Sequence, residues 1–179
     1  MNIIVCDPNP LVIDNLDRNV DSFLGTFEEL DSLLQGHSAA IANAGNGYGI
    51  MGAGIAGAIA FRFPKTKWSA RAKLGVVPAK VGTSFVIGTE DPSSAYRYVI
   101  YTVTMEDPGT VLSESDHVPY EAMRATLRAA DDFNRHRASG IETLVVPGFG
   151  GGVGRLSPRF IAYELSTAIY EYQEGIGYE

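Results

Sequence analysis

Cysteine is nearly absent from this 179-residue chain. The single residue, Cys6, excludes an intrachain disulfide framework and a multi-cysteine metal site. In a first strand it reads as a small buried hydrophobe. Basic residues are also scarce: 14 Lys and Arg against 21 Asp and Glu leave a net charge of −7, with no block of either sign. A non-specific binder of nucleic acid or of membrane surfaces needs a basic patch, so that class is disfavoured. No apolar run approaches the roughly 20 residues that span a bilayer. The opening MNIIVCDPNP lacks the basic start and apolar stretch of a signal peptide, which points to the cytoplasm. The three histidines, His37, His117 and His136, have no metal-ligand spacing, so neither metal nor cofactor is expected. What is present is ordinary for a globule: 45% apolar and 20% charged residues, at a length suited to one domain over residues 1–179.

Glycine is the exception, at 20 residues. Seven lie between Gly36 and Gly57 and five between Gly148 and Gly154, so twelve of the twenty fall in two short segments. The surrounding pattern alternates strands and helices. Ile3–Cys6 reads as a strand, and Pro10–Leu24 has helical spacing of Val12, Leu16, Val20, Phe23 and Leu24. Phe27–Leu30 reads as a short strand and Ser38–Ala42 as a buried one. Gly54–Phe63 reads as a helix stopped by Pro64. Thr83–Ile87 and Tyr96–Val103 are strands by their β-branched and aromatic content. Tyr120–Arg137 is a long helix, Thr143–Val146 a strand, and Ser157-Pro158 an N-cap with proline in the first turn of a last helix reaching about Tyr172. Such alternation predicts a mixed, largely parallel sheet in an α/β fold with helices on both faces.

Each glycine cluster thus follows a strand and enters a helix. Ligands of open α/β sheets bind beyond the carboxyl ends of the strands. Loops without side chains bring backbone N–H groups close to an anion, and the helix N-terminus adds its dipole. Two such loops suggest a ligand with two phosphates, or one phosphate beside a sugar. Gly52-Ala53-Gly54-Ile55-Ala56-Gly57 matches the dinucleotide fingerprint G-x-G-x-x-G, yet nine residues separate it from the strand. No carboxylate lies near Val77, where the ribose-binding acid would stand, which argues against a dehydrogenase.

The residues resemble a known family. Ile41-Ala42-Asn43-Ala44-Gly45-Asn46 followed by Met51 to Ile59 is similar to the macro domain pattern "VNAAN…GGGGVAGAI". Leu144 to Gly154 is similar to its second signature, "FPALGTGVGG", and Tyr98–Val103 to its central strand. The resemblance covers roughly residues 30–172, and the form is similar to macro-like proteins of bacteriophages. It implies a three-layer α/β/α domain that binds ADP-ribose or a related NAD-derived nucleotide, in host cytoplasm if phage-encoded. A nucleic acid would be a partner only as an ADP-ribosylated substrate.

By this resemblance Asp31 accepts from the adenine amino group and Asn46 holds the terminal ribose. Gly52, Ala53, Gly54, Ile55 and Ala56 form the first loop, and Gly148, Phe149, Gly150, Gly151, Gly152, Val153 and Gly154 the loop around the diphosphate. The family's catalytic acids and lysine correspond here to Ala56, Thr104 and Gly154. Hydrolysis therefore falls to a water oriented by Asn46, as an ADP-ribosyl hydrolase or an ADP-ribose-1″-phosphate phosphatase. The alternatives are sequestration of an NAD-derived signal without turnover, and a phage structural protein with a vestigial site. Asn43 reads as structural. Tyr48 and Phe149 read as core or as ring contacts to the ligand, Arg155 as a surface pair, and the basic Lys65–Lys73 stretch around Trp68 as a solvated helix face.

Overall fold

The computed structural model describes residues 1–177. Its strands are β1 (Asn2–Asp7), β2 (Ser22–Leu24), β3 (Ala39–Asn46), β4 (Ser84–Gly88), β5 (Tyr96–Met105) and β6 (Thr143–Val146). Its α-helices are α1 (Pro10–Ile13), α2 (Phe27–Leu33), α3 (Gly54–Arg62), α4 (Pro64–Leu74), α5 (Val118–Arg135) and α6 (Pro158–Gln173). The strands form one sheet in the order β2-β1-β6-β3-β5-β4, and only β4 runs antiparallel to its neighbour.

A strand covered on both faces can be apolar at every position. In β3, Ala39 to Ala42 are all fully buried, with Ala39 and Ile41 in one core and Ala40 and Ala42 in the other. The first core also takes Phe27 and Leu30 of α2, Ile59 of α3, and Ala70 and Leu74 of α4. The second takes Val12 of α1, Met123 and Leu127 of α5, and Ile161 and Leu165 of α6. This is the three-layer α/β/α arrangement that the alternation and the resemblance predict.

Two local expectations are corrected. The helix expected over Pro10–Leu24 ends at Ile13, and Ser22–Leu24 instead pairs with Val5–Asp7 as a parallel strand. The intervening Asn15, Asp17 and Asn19 bond to nearby backbone, Asn15 Nδ2 donating to the Leu11 carbonyl and Asn19 N–H to Asp17 Oδ1. Such local bonds compete with helix continuation. The strand expected at Phe27–Leu30 is the start of α2, set by a capping box in which Thr26 Oγ1 accepts from Glu29 N–H and Glu29 Oε2 from Thr26 N–H. Pro64 does end α3, and also opens α4 from its first turn, where its missing N–H costs nothing. Because β1, β2, β3, β5 and β6 are parallel, all five carboxyl ends lie along one edge of the sheet. That edge carries the site.

Candidate functional site

A cavity of about 780 Å³ runs along this edge, within the range of small-ligand sites. It is lined in turn by Gly25 to Glu28 after β2, Cys6 to Asn9 after β1, and the loop after β6. The end of β3 with Ile50 and residues 52–56, and Thr104 and Met105 at the end of β5 with Pro108 and Gly109 beyond it, continue the wall. Five strands about 4.8 Å apart span roughly 19 Å, room for an extended dinucleotide rather than a single sugar.

Three zones differ in chemistry. At the β2–β1 end stand the cavity's two carboxylates among the described residues, Asp7 and Glu28. Asp7 Oδ1 accepts from Asn9 N–H at 2.8 Å and Oδ2 from Gly148 N–H at 2.9 Å, which fixes its carboxylate at the β1–β6 junction. Cys6 beside it is buried, donates to the Gly25 carbonyl, and has its thiol pushed up to about 12 by burial and then by the Asp7 charge.

The middle zone is built from backbone. Helix α3 has Ala53 at its N-cap, and no side chain caps it. Among the described residues, the amides of Gly52, Ala53, Gly54, Ile55 and Ala56 have no acceptor, and all five residues line the cavity. Across from them, Gly150, Gly152, Val153 and Gly154 also line the cavity with unpartnered amides. Of these nine residues Ile55, Ala56, Gly150 and Gly154 are buried or half-buried, where an N–H almost always finds an acceptor, so the two loops together describe an anion cradle. A Cβ on Gly52, Gly54 or Gly152 would meet nothing within 4 Å. Gly54 also has φ +56°, a left-handed backbone that favours glycine.

At the β3–β5 end Asn46 organises its own loop. Asn46 Oδ1 accepts from Tyr48 N–H at 3.1 Å and Ile50 N–H at 3.2 Å, and its Nδ2 donates to the Ile50 carbonyl at 2.8 Å. The hydroxyl of Tyr101, buried and with its pKa pushed up to about 12 by that burial, donates to the Asn46 carbonyl at 2.8 Å and accepts from its N–H. Gly45 must be glycine because a Cβ would lie 2.3 Å from the Tyr101 ring. Thr104 Oγ1 donates to the Gly45 carbonyl.

The structure therefore brings Asn46, Gly52 to Ala56, Gly148 and Gly150 to Gly154 to one cavity, and leaves two named residues out. Asp31 lies in α2 outside the cavity wall, with its carboxylate accepting from Ala95 N–H at 2.7 Å and Ser94 Oγ at 2.9 Å beside the Arg62 guanidinium. Phe149 has zero exposure and belongs to the core beneath the loop. Asp7 went unnoticed in the sequence, where its only signal is a carboxylate closing a first strand.

The model of the family described as "Macro domain" matches residues 42–162, about two thirds of the chain. The chain belongs to the macro domain family. An uncharacterized protein of Aeropyrum pernix is 30% identical over 139 residues, covering 78% of this chain and 67% of that one. Among solved structures, the macrodomain of Mycobacterium tuberculosis DarG superposes with TM-score 0.63 at 22% identity, over 78% of this chain and 86% of that one. Thermosipho africanus DarTG in complex with ADP-ribose superposes with TM-score 0.57 at 16% identity, over 87% of this chain and 45% of that one. These likenesses share the macro domain fold with the present chain, and its two glycine loops fall within the matched residues.

Proposed function

We propose that this protein binds ADP-ribose, or a nucleotide derived from it, and holds it without rapid turnover. The observation that carries the reading is the cradle of unpartnered amides on two facing loops, set midway along a cavity of dinucleotide length. The diphosphate belongs there, met by N–H dipoles rather than by cations. The adenine belongs at the β2–β1 end, where Asp7 offers an acceptor to the amino group, and the distal ribose at the β3–β5 end. The second hydrogen of Asn46 Nδ2 suits a ribose hydroxyl. The complex of Thermosipho africanus DarTG with ADP-ribose supports the same ligand class.

Turnover is disfavoured on distance and chemistry. The cavity's carboxylates, Asp7 and Glu28, stand at the end opposite Asn46. Ala56, Thr104 and Gly154 occupy the positions of the family's catalytic groups, so general-base help of about 10²–10⁴-fold is missing. Capture of an NAD-derived nucleotide suits these residues better than hydrolysis. Calorimetry with ADP-ribose, followed by mass spectrometry of the same mixture, tests both halves. At a hundredfold excess over Kd, binding adds roughly 2.7 kcal/mol and should raise Tm by roughly 5–10 °C, with intact ligand recovered. Absence of heat and of a thermal shift would sink the ligand, and fast product formation would sink the capture reading.

A further inference from the structure

The far edge of the sheet has a second set of unused backbone groups, away from the nucleotide cavity. Strand β4 ends the order β2-β1-β6-β3-β5-β4, so one of its sides has no neighbouring strand. In an antiparallel ladder, alternate residues turn both backbone groups toward the partner. The Val103 N–H bonds to the Thr83 carbonyl and the Thr89 N–H to the Arg97 carbonyl, which fixes that parity. Phe85 and Ile87 therefore bond inward, opposite Tyr101 and Val99, and Ser84, Val86 and Gly88 turn N–H and C=O outward. Of these outward groups, only the Val86 carbonyl has a partner among the described residues, the Lys73 ammonium at 2.8 Å.

A cavity of about 590 Å³ lies along this edge. Its floor includes both Phe85 and Val86, which pack on opposite faces of the sheet, so it is a slot between the two helical layers. Lys73 of α4 stands on one side, and Phe133 of α5 with Arg137 just beyond it on the other. The Phe133 ring meets Tyr98 edge-on at 4.7 Å and carries the Arg137 guanidinium 4.2 Å from its centroid. Among the described residues neither cation has a carboxylate partner, and the slot's one acid, Asp132, pairs with Arg135 at 3.1 Å. From Ser32 to Thr89 the chain has no acid and six Lys or Arg, against a net charge of −7 overall.

A protected edge carries a charge, a proline or a bulge on the strand itself, and Ser84–Gly88 has none of these. A second copy is a poor occupant, because β4 beside β4 would bring the two Lys73 ammoniums together in a complex of charge −14, twice −7. We propose that this edge docks an extended acidic segment of a partner protein as a seventh strand. Its backbone pairs with Ser84, Val86 and Gly88, its apolar side chains lie on Tyr98 and Phe133, and its carboxylates meet Lys73 and Arg137.

The probe is a blocked heptapeptide alternating valine with glutamate, compared with its lysine counterpart by calorimetry and by amide hydrogen exchange. The acidic peptide should bind saturably below millimolar concentration and at least tenfold more tightly than the lysine one. The Ser84, Val86 and Gly88 amides should gain protection, whereas Phe85 and Ile87, already paired, change little. Val86→Pro removes one outward N–H without touching the ladder to β5, and should weaken binding at least tenfold. Lys73→Glu with Arg137→Glu, both at exposed positions, should transfer the preference to the lysine peptide, with a melting curve to confirm folding. Absence of saturable binding, equal binding of the two peptides, or protection confined to other residues overturns the proposal. A dimer in sedimentation that Val86→Pro abolishes also overturns it, in favour of a second copy. None of these outcomes bears on ADP-ribose binding, which is measured separately.

Discussion

At the scale of single residues, the site depends on places where a side chain is missing or fully occupied. Gly152 is the cleanest case, because a Cβ there meets nothing within 4 Å and its amide is free. Gly152→Glu should leave the fold intact and set a carboxylate against the diphosphate, a repulsion of about 4 kcal/mol at 4 Å and an effective dielectric near 20. The expected result is a loss of ADP-ribose affinity beyond a hundredfold with little change in Tm. Asn46 behaves differently. Its three side-chain bonds organise the 46–50 loop, so Asn46→Ala leaves two N–H groups and a carbonyl without partners, at about 1–3 kcal/mol for each that stays buried. Stability and affinity should fall together. Asn46→Asp keeps both acceptor bonds and should fall between, measured by urea melts and calorimetry side by side.

At the scale of elements, Asp31 shows how a plausible ligand residue turns out to join two pieces of structure. From α2 it holds the chain just before β5, accepting from Ala95 N–H and Ser94 Oγ. Asp31→Ala should destabilise the fold by about 1–3 kcal/mol through the unpaired Ala95 amide, while ADP-ribose affinity stays within twofold. A tenfold loss of affinity at unchanged stability would relocate the adenine to α2. Helix α3 shows the reverse: its N-terminus lacks a side-chain cap, a defect for stability that exposes the N–H groups a diphosphate needs.

For the whole molecule, charge and burial set the response to solution conditions. If the proposed diphosphate is held by amides in a protein of charge −7, affinity should fall little as salt rises, because screening weakens the long-range repulsion along with the dipole attraction. Calorimetry at 50 and 500 mM NaCl checks this, and a marked loss at high salt would indicate cations in the site. Stability has an alkaline limit. Cys6 is raised from 9.0 to about 12 and Tyr101 from 10.0 to about 12, chiefly by burial. A raised folded-state value means stability fully present below the unfolded pKa and lost as pH climbs toward the folded one. Tm should therefore begin to fall near pH 9, and Cys6→Ala should move that onset toward pH 10, where Tyr96 and Tyr101, both raised by burial, and Tyr120, raised by its hydrogen bond to Glu171, respond.

The sequence by itself determined the layered α/β fold, the two glycine loops and the family, because these rest on local pattern: apolar runs, N-caps and glycines placed between strand and helix. Residues 54–62, 143–146 and 158–173 formed the elements their own spacing predicts. Tertiary structure decided what depends on partners distant in the chain. Ser22–Leu24 became a strand only because β1 was there to pair with it. Asp31 lies outside the cavity wall, its carboxylate bonded to Ser94 and Ala95 more than sixty residues on, and Asp7 lines it, held by the Gly148 amide across the sheet. Which amides are free is likewise a property of the folded chain, since a donor's partner is fixed by proximity in space and leaves no mark in the order of residues.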